Sequence, residues 1–167
     1  MSLQTLPSLD IRHFLNGHVV DVFETMLSKK ATPAQDGTSP EFAERITGSV
    51  GLGGDTVTGA VYLHLSAEFA NQIAATMLGL LPEETLPDND VNDVVGECTN
   101  MLAGGLKSVL CDKSFECAVS TPAIIRGASF NIESMPDVRH EIMVYECGGN
   151  RFTVEVHIKF ISNAQPL

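Results

Sequence analysis

Between residues 10 and 28 the apolar side chains fall at Ile11, Phe14, Leu15, Val19, Val22, Phe23, Met26 and Leu27. Steps of three and four residues put them on one face of a helix, with Asp10 placed to cap its start. Gly17 lies inside that helix and weakens it by about 1 kcal/mol relative to alanine. Lys29 to Pro40, with Pro33, Pro40 and Asp36-Gly37, predicts a turn-rich connector. Two alternating runs follow, Ile46, Val50, Leu52 and then Val57, Val61, Leu63, Leu65, separated by Gly53-Gly54-Asp55. They predict a hairpin whose glycines supply positive φ at the turn. Ser66 then opens a second helical pattern, Phe69, Ala70, Ile73, Ala74, Met77 and Leu78, closed by Gly79.

A longer helical segment runs from Asp88, its expected cap, to about residue 110. Beyond it, residues 115–125 and 129–132 have strand composition with weak alternation. After Pro136 the pattern sharpens: Ile142 and Val144 lead to the turn Gly148-Gly149-Asn150. Phe152, Val154, Val156, Ile158 and Phe160 then alternate with Thr153, Glu155, His157 and Lys159, which predicts one buried and one wet face. Helix, hairpin, two helices and further paired strands indicate an α+β fold. Its sheet is mainly antiparallel, built from hairpins, and packed with about three helices. The 167 residues suit a single domain spanning 1–167.

Charge narrows the function classes. Ten Lys+Arg against 21 Asp+Glu give a net charge of −11, and no basic run exceeds Lys29-Lys30. Nucleic acid and anionic membrane surfaces, which both demand clustered cations, are therefore not expected partners. No stretch approaches the ~18 apolar residues of a spanning helix. Asp10 and Arg12 stand where a signal peptide would need apolar residues, so a cytoplasmic protein is expected. Cys98, Cys111, Cys117 and Cys147 form no Cys-x-x-Cys pair and read as free, buried thiols, and the scattered histidines show no metal-ligand spacing. No metal site is expected on the chain.

The long third helix carries the chemical signal. At about 100° per residue, Val91, Val94, Val95, Cys98, Met101, Leu102 and Val109 gather in one sector. Asp93, Glu97, Asn100, Gly104 and Lys107 lie within roughly 40° of the opposite direction. A polar stripe is commonly just a solvated face. Here, however, Gly96, Ala103, Gly104 and Gly105 stand where long polar side chains are usual, and small residues leave room for a second surface. Packing inside the domain competes as an explanation, especially for Gly105 on the core side. Glu97 and Asn100, three apart, project side by side as a carboxylate and an amide that can hold a water.

The motif Asp93-x-x-x-Glu97-x-x-Asn100, continuing to Gly104, resembles the signature of the CheC/CheX/FliY phosphatases of bacterial chemotaxis. Asn16 and Val22 to Leu27, Gly59 to Ser66, and Met77 to Gly79 resemble CheX in particular, so the likeness spans nearly the whole chain. It implies a CheX-like fold and removal of the phosphoryl group from the phosphoaspartate of a CheY-type response regulator. Asn100 would orient the attacking water, and Glu97 would pair with the regulator's active-site lysine. Asp93, Gly104 and Lys107 would line the partner contact. The regulator would bring the divalent metal, Mg, leaving this chain with no cofactor of its own. Asp21-Val-Phe-Glu24 and Ser28 do not reproduce a second Glu-x-x-Asn on the first helix, which favours one site per subunit.

The resemblance also implies a homodimer built by sheet extension. No flagellar-switch domain follows Leu167, which argues against FliY. The alternative is a non-catalytic adaptor or flagellar-switch-like binding module of the same fold. Gly51-Leu-Gly-Gly-Asp55 lacks the Gly-Lys-Ser/Thr of a phosphate-binding loop and reads as a turn. Ser66, Ser120 and Ser129 have no nucleophile context.

Overall fold

Asp10 and Ser66 act as the chain pattern requires. The Asp10 carboxylate accepts from the His13 N–H at 2.9 Å and starts α1, Ile11–Leu27. The Ser66 hydroxyl accepts from the Phe69 N–H at 3.0 Å and starts α2, Ala67–Met77. Each satisfies an N–H that the first helical turn leaves without an intrahelical partner. Ser66→Ala is expected to cost about 1 kcal/mol and lower the melting temperature by about 2–4 °C, read by thermal unfolding.

The computed structural model describes residues 9–161. Its remaining elements are β1 (Ala31–Pro33), β2 (Arg45–Gly53), β3 (Val57–Ser66), α3 (Asp88–Asp112), β4 (Ala118–Val119), β5 (Ala123–Gly127), β6 (Arg139–Cys147) and β7 (Asn150–Phe160). They form one seven-stranded sheet in the order β1-β6-β7-β3-β2-β4, with β5 also paired to β2. Every pairing is antiparallel. The α+β expectation holds, with three helices among the described residues.

The helices cover one face of the sheet. Ile46, Val50 and Leu52 on β2, Val61, Leu63 and Leu65 on β3, and Phe152, Val154, Val156 and Ile158 on β7 are buried beneath them. Without tryptophan, the densest part of the core is an aromatic cluster. The Phe152 ring stacks on Phe23 with centroids 4.3 Å apart, and on Tyr145 at 5.4 Å. Burial pushes the Tyr145 phenol up, so its hydroxyl stays protonated and donates to Asn16 Oδ1 at 2.8 Å. That bond ties α1 to β6 and gives Asn16 a structural role.

Several expectations need correction. Ala31–Pro33 is a strand, not connector: it pairs with Tyr145–Cys147 at a sheet edge, where proline is tolerated. Gly53 and Gly54 do not take positive φ. Gly54 is instead needed for close approach, because a Cβ there would collide with the Glu116 carbonyl. Pro87, not Asp88, is the N-cap of α3, and Asp88 is the first helical residue. Residues 129–132 form no strand. Leu78 is exposed rather than part of the α2 core face. Thr153, Glu155 and His157 on β7 are buried, so of the face expected to be wet only Lys159 is exposed. The Phe130 segment lies over it, with its ring centroid 6.5 Å from that of His64.

Candidate functional site

α3 packs against α1, α2, β2 and β3. Beneath it Gly48 on β2 lets Thr99 descend onto the sheet, since a Cβ at Gly48 would overlap the Thr99 hydroxyl. The same hydroxyl donates back to the Val95 carbonyl at 2.7 Å. Toward α1, Gly105 admits the His18 ring, whose Nε2–H donates to the Met101 carbonyl at 2.9 Å. Cys98 meets the Met26 sulfur at 3.9 Å across the same contact. At its N-terminal end, Arg126 reaches from β5 to Asn92 Oδ1, with Nε at 3.1 Å and Nη2 at 2.7 Å. The third Arg126 nitrogen, Nη1, lies 3.6 Å from the Asp88 carboxylate. The first two turns are thus clamped, and the helix is seated along its length.

Holding the inner side this way turns the polar stripe outward. Asp93 and Glu97 are exposed, while Asn100, Gly104 and Lys107 are half-buried. Val91, Val94, Val95, Cys98 and Leu102 are buried on the inner face, and Met101 and Val109 are half-buried against the core. The stripe read from the helical period is therefore real. Among the described residues no hydrogen bond or ion pair engages the side chain of Glu97 or Asn100, so both are free to meet a partner.

The small residues divide. Gly96 sits against Pro122, whose Cβ would be 3.3 Å from an added Cβ, Ala103 is buried, and Gly105 receives His18. Packing within the chain explains these three. Gly104 alone faces open space, with nothing within 4 Å of an added Cβ. A helical glycine of that kind weakens the helix with no gain inside the fold. Gly104→Ala is expected to stabilise the chain by about 1 kcal/mol, read as a melting temperature raised by about 2–4 °C.

The stripe lies outside two cavities, one on each side of the sheet. One, of about 640 Å³, opens between α2, the α2–α3 connector and Arg126; the other, of about 500 Å³, lies on the far side of the sheet near His64. Neither is lined by Asp93, Glu97, Asn100, Gly104 or Lys107. A carboxylate and an amide on a convex helix cannot enclose a small molecule, so a substrate for them must bring its own concavity.

The cysteines carry no disulfide. Burial pushes the Cys98 thiol up to about 12, and the charge of Glu97 adds to the effect, so it is not a nucleophile near neutral pH. Sequence reasoning missed the Arg126–Asn92 clamp and the Gly48 seat. Both join positions far apart in the chain, and no local period marks them.

Fold and site together define an α+β protein whose candidate side chains face outward from a helix seated on an antiparallel sheet. The family described as "Chemotaxis phosphatase CheX" matches residues 46–147, and the chain belongs to that family. Among solved structures it is similar to the chemotaxis protein CheX of Vibrio vulnificus, at 24% identity and a TM-score of 0.73, covering 88% of this chain and 95% of that one. It is similar also to a CheC-like superfamily protein of Shewanella sp. PV-4, at 25% identity and a TM-score of 0.74, covering 90% and 98%. A third likeness is to a CheX–CheY–BeF3–Mg complex of Borrelia burgdorferi, at 20% identity and a TM-score of 0.67, covering 90% and 98%. No curated protein matches the chain. No helix among the described residues is long and apolar enough to cross a membrane.

Proposed function

We propose that this chain is a protein-aspartyl-phosphate phosphatase acting on a CheY-type response regulator. The observation that carries the reading is the outward pair on α3. Glu97 and Asn100 are neighbours on the outer face of the helix, without hydrogen-bond or ion-pair partners among the described residues, in a member of the CheX family. The Borrelia relative, a CheX solved with CheY, BeF3 and Mg, supports the choice of partner.

The chemistry follows from the residue types. Phosphoryl transfer asks a protein for positioning and electrostatics more than for covalent help. The Asn100 amide enters the regulator's pocket, accepts from a water and aims its oxygen at phosphorus. The new P–O bond forms as the bond to the aspartate oxygen breaks, the aspartate leaves as a carboxylate, and inorganic phosphate takes up the remaining water proton. An amide orients the water without placing charge beside the phosphoryl oxygens. Glu97 could not do so, and its charge instead suits a lysine on the regulator. The regulator supplies the divalent metal, Mg. Asp93, Gly104 and Lys107 border the contact, Gly104 by letting the partner approach. A homodimer formed through a sheet edge belongs to the same reading and is measured by sedimentation.

Phosphate release from a panel of phosphorylated response regulators, with and without this protein, tests the proposal. Acceleration for at least one regulator is expected. A chain that binds a regulator and leaves its phosphate lifetime unchanged would be a binding module instead. Glu97→Ala is expected to weaken docking by roughly tenfold or more, the loss of one charge-assisted contact, with little effect on the rate at saturation. Titration against a beryllofluoride-activated regulator reads the first effect, and saturation kinetics the second.

A further inference from the structure

The sheet face opposite the helices carries a cluster that the phosphatase reading leaves unused. His140 on β6 and His157 on β7 are register partners, and Glu155 lies two residues along the same face. Glu155 Oε1 is 2.7 Å from His140 Nε2 and 2.9 Å from His157 Nε2. Its other oxygen, Oε2, accepts from His64 Nε2 at 2.8 Å. His64 Nδ1 is 2.8 Å from the Thr47 hydroxyl, so a neutral imidazole donating to the carboxylate accepts from Thr47. Burial raises the Glu155 carboxyl, but the hydrogen bonds from His64 and His157, the attraction of His64 and the bond from His140 outweigh it and hold it at about 2. A full negative charge therefore sits 6% exposed, ringed by three imidazoles.

Two imidazoles directed at one carboxylate oxygen can exchange their shared hydrogen bonds for a shared cation. The three ligand atoms lie within 4.8 Å of one another. In a tetrahedral site with bonds near 2.0–2.1 Å they would stand about 3.3 Å apart, so each imidazole nitrogen would draw back from the carboxylate oxygen by roughly half an ångström. Each imidazole then carries its proton on Nδ1 and offers the Nε2 lone pair. His64 and Thr47 supply the outer hydrogen bonds that fix a ligating carboxylate.

A second observation points to a ligand here. Among the described residues, two buried side-chain polar atoms lack a hydrogen-bond partner, Thr153 Oγ1 and Arg45 Nε. Both residues line the cavity of about 500 Å³ that His140 and Glu155 border, together with Phe130, Asn131 and Glu133. Thr153 is 5% exposed, and Arg45 lies over the Phe130 ring at 3.5 Å from its centroid. Two unpartnered polar atoms in one cavity wall are groups that a ligand or its water can satisfy.

We propose that His140, His157 and Glu155 bind a divalent transition-metal ion of the zinc class, with its remaining coordination position open to this cavity. Two histidines, one carboxylate and an open position favour zinc over calcium or magnesium, which prefer all-oxygen sites. The ion would be this chain's own, on the opposite face of the sheet from Asn100. The phosphatase reading can thus fail while this one stands, and the reverse.

The test titrates chelator-treated protein with Zn²⁺ by calorimetry and with Co²⁺ by visible spectroscopy. One ion per chain is expected, with micromolar or tighter affinity and a Co²⁺ spectrum free of thiolate-to-metal charge transfer. Glu155→Gln keeps the side-chain volume, and His140→Ala changes a partly exposed side chain. Each should weaken Zn²⁺ binding by at least roughly 100-fold. Should a variant fail to fold, nitrogen NMR of wild type decides, since Zn²⁺ must shift the Nε2 resonances of His140 and His157. Absence of binding, a thiolate band from Cys111 and Cys117, unchanged affinity in folded Glu155→Gln, or unshifted Nε2 resonances would each overturn the proposal.

Discussion

Asn100→Ala is expected to leave a folded, regulator-binding protein that has lost about 10²-fold or more of its acceleration of dephosphorylation. The size of the effect follows from what alanine removes. Attack on phosphorus needs the water oxygen in line with the breaking bond, and displacement by an ångström is worth about 10² in rate. The fold should not notice. The Asn100 side chain is half-buried on the outer side of α3 and makes no hydrogen bond among the described residues. Alanine also has the higher helix propensity. Asn100→Asp separates shape from charge: it keeps the size but places a carboxylate beside the phosphoryl oxygens, and should be as inactive as alanine. The decay rate of a phosphorylated regulator at saturating phosphatase, with circular dichroism as the fold control, checks both variants.

The second large effect is expected at Gly48, which touches no partner. A Cβ at this position would overlap the Thr99 hydroxyl, lie 2.9 Å from Thr99 Cβ and 3.3 Å from Val95 Cγ1. Thr99 is fully buried, so the overlap cannot be relieved by rotation toward solvent. Gly48→Ala should therefore lift α3 from β2 one residue from Asn100. Overpacking of this kind costs about 1–3 kcal/mol, a melting temperature lowered by about 2–12 °C. Activity should fall with it, because the displaced helix carries the amide. Adding Thr99→Ala to Gly48→Ala removes the hydroxyl responsible for the worst overlap and should recover part of both losses. An unaltered melting temperature in Gly48→Ala would mean that α3 is not seated as described.

The helices and both long hairpins were legible because their apolar residues repeat at 3.6 or 2. The hydrophobic effect acts on those periods wherever the partner surface lies. β1 was not legible, since a three-residue strand has no period and is defined by its pairing with Tyr145–Cys147. The buried polar face of β7 misled for a physical reason. Thr153, Glu155 and His157 alternate as a wet face should, but His64, His140 and the Phe130 segment cover that face, and His64, His140 and His157 all hydrogen-bond to Glu155. Polar residues that find partners can be buried, and pattern alone cannot show the partners.

Of the site, spacing alone gave the neighbouring placement of Glu97 and Asn100 and their outward direction. It left the small residues open between room for a second surface and packing inside the domain. Gly96 and Gly105 answer to Pro122 and His18, residues distant in the chain, and only Gly104 remains open. The histidines were set aside for want of ligand spacing along the sequence. His140 and His157 became neighbours through strand register, which connects residues 17 apart as readily as residues on one helical turn.

The central claim is that the outward stripe of α3 enters a regulator's phosphorylation pocket. It is tested most directly by the structure of this chain bound to a beryllofluoride-activated response regulator with Mg²⁺. The account predicts the Asn100 amide within hydrogen-bond reach of the water position in line with the beryllofluoride group, Glu97 paired with a regulator lysine, and Gly104 at the closest approach. A complex in which α3 leaves Glu97 and Asn100 facing solvent would contradict it.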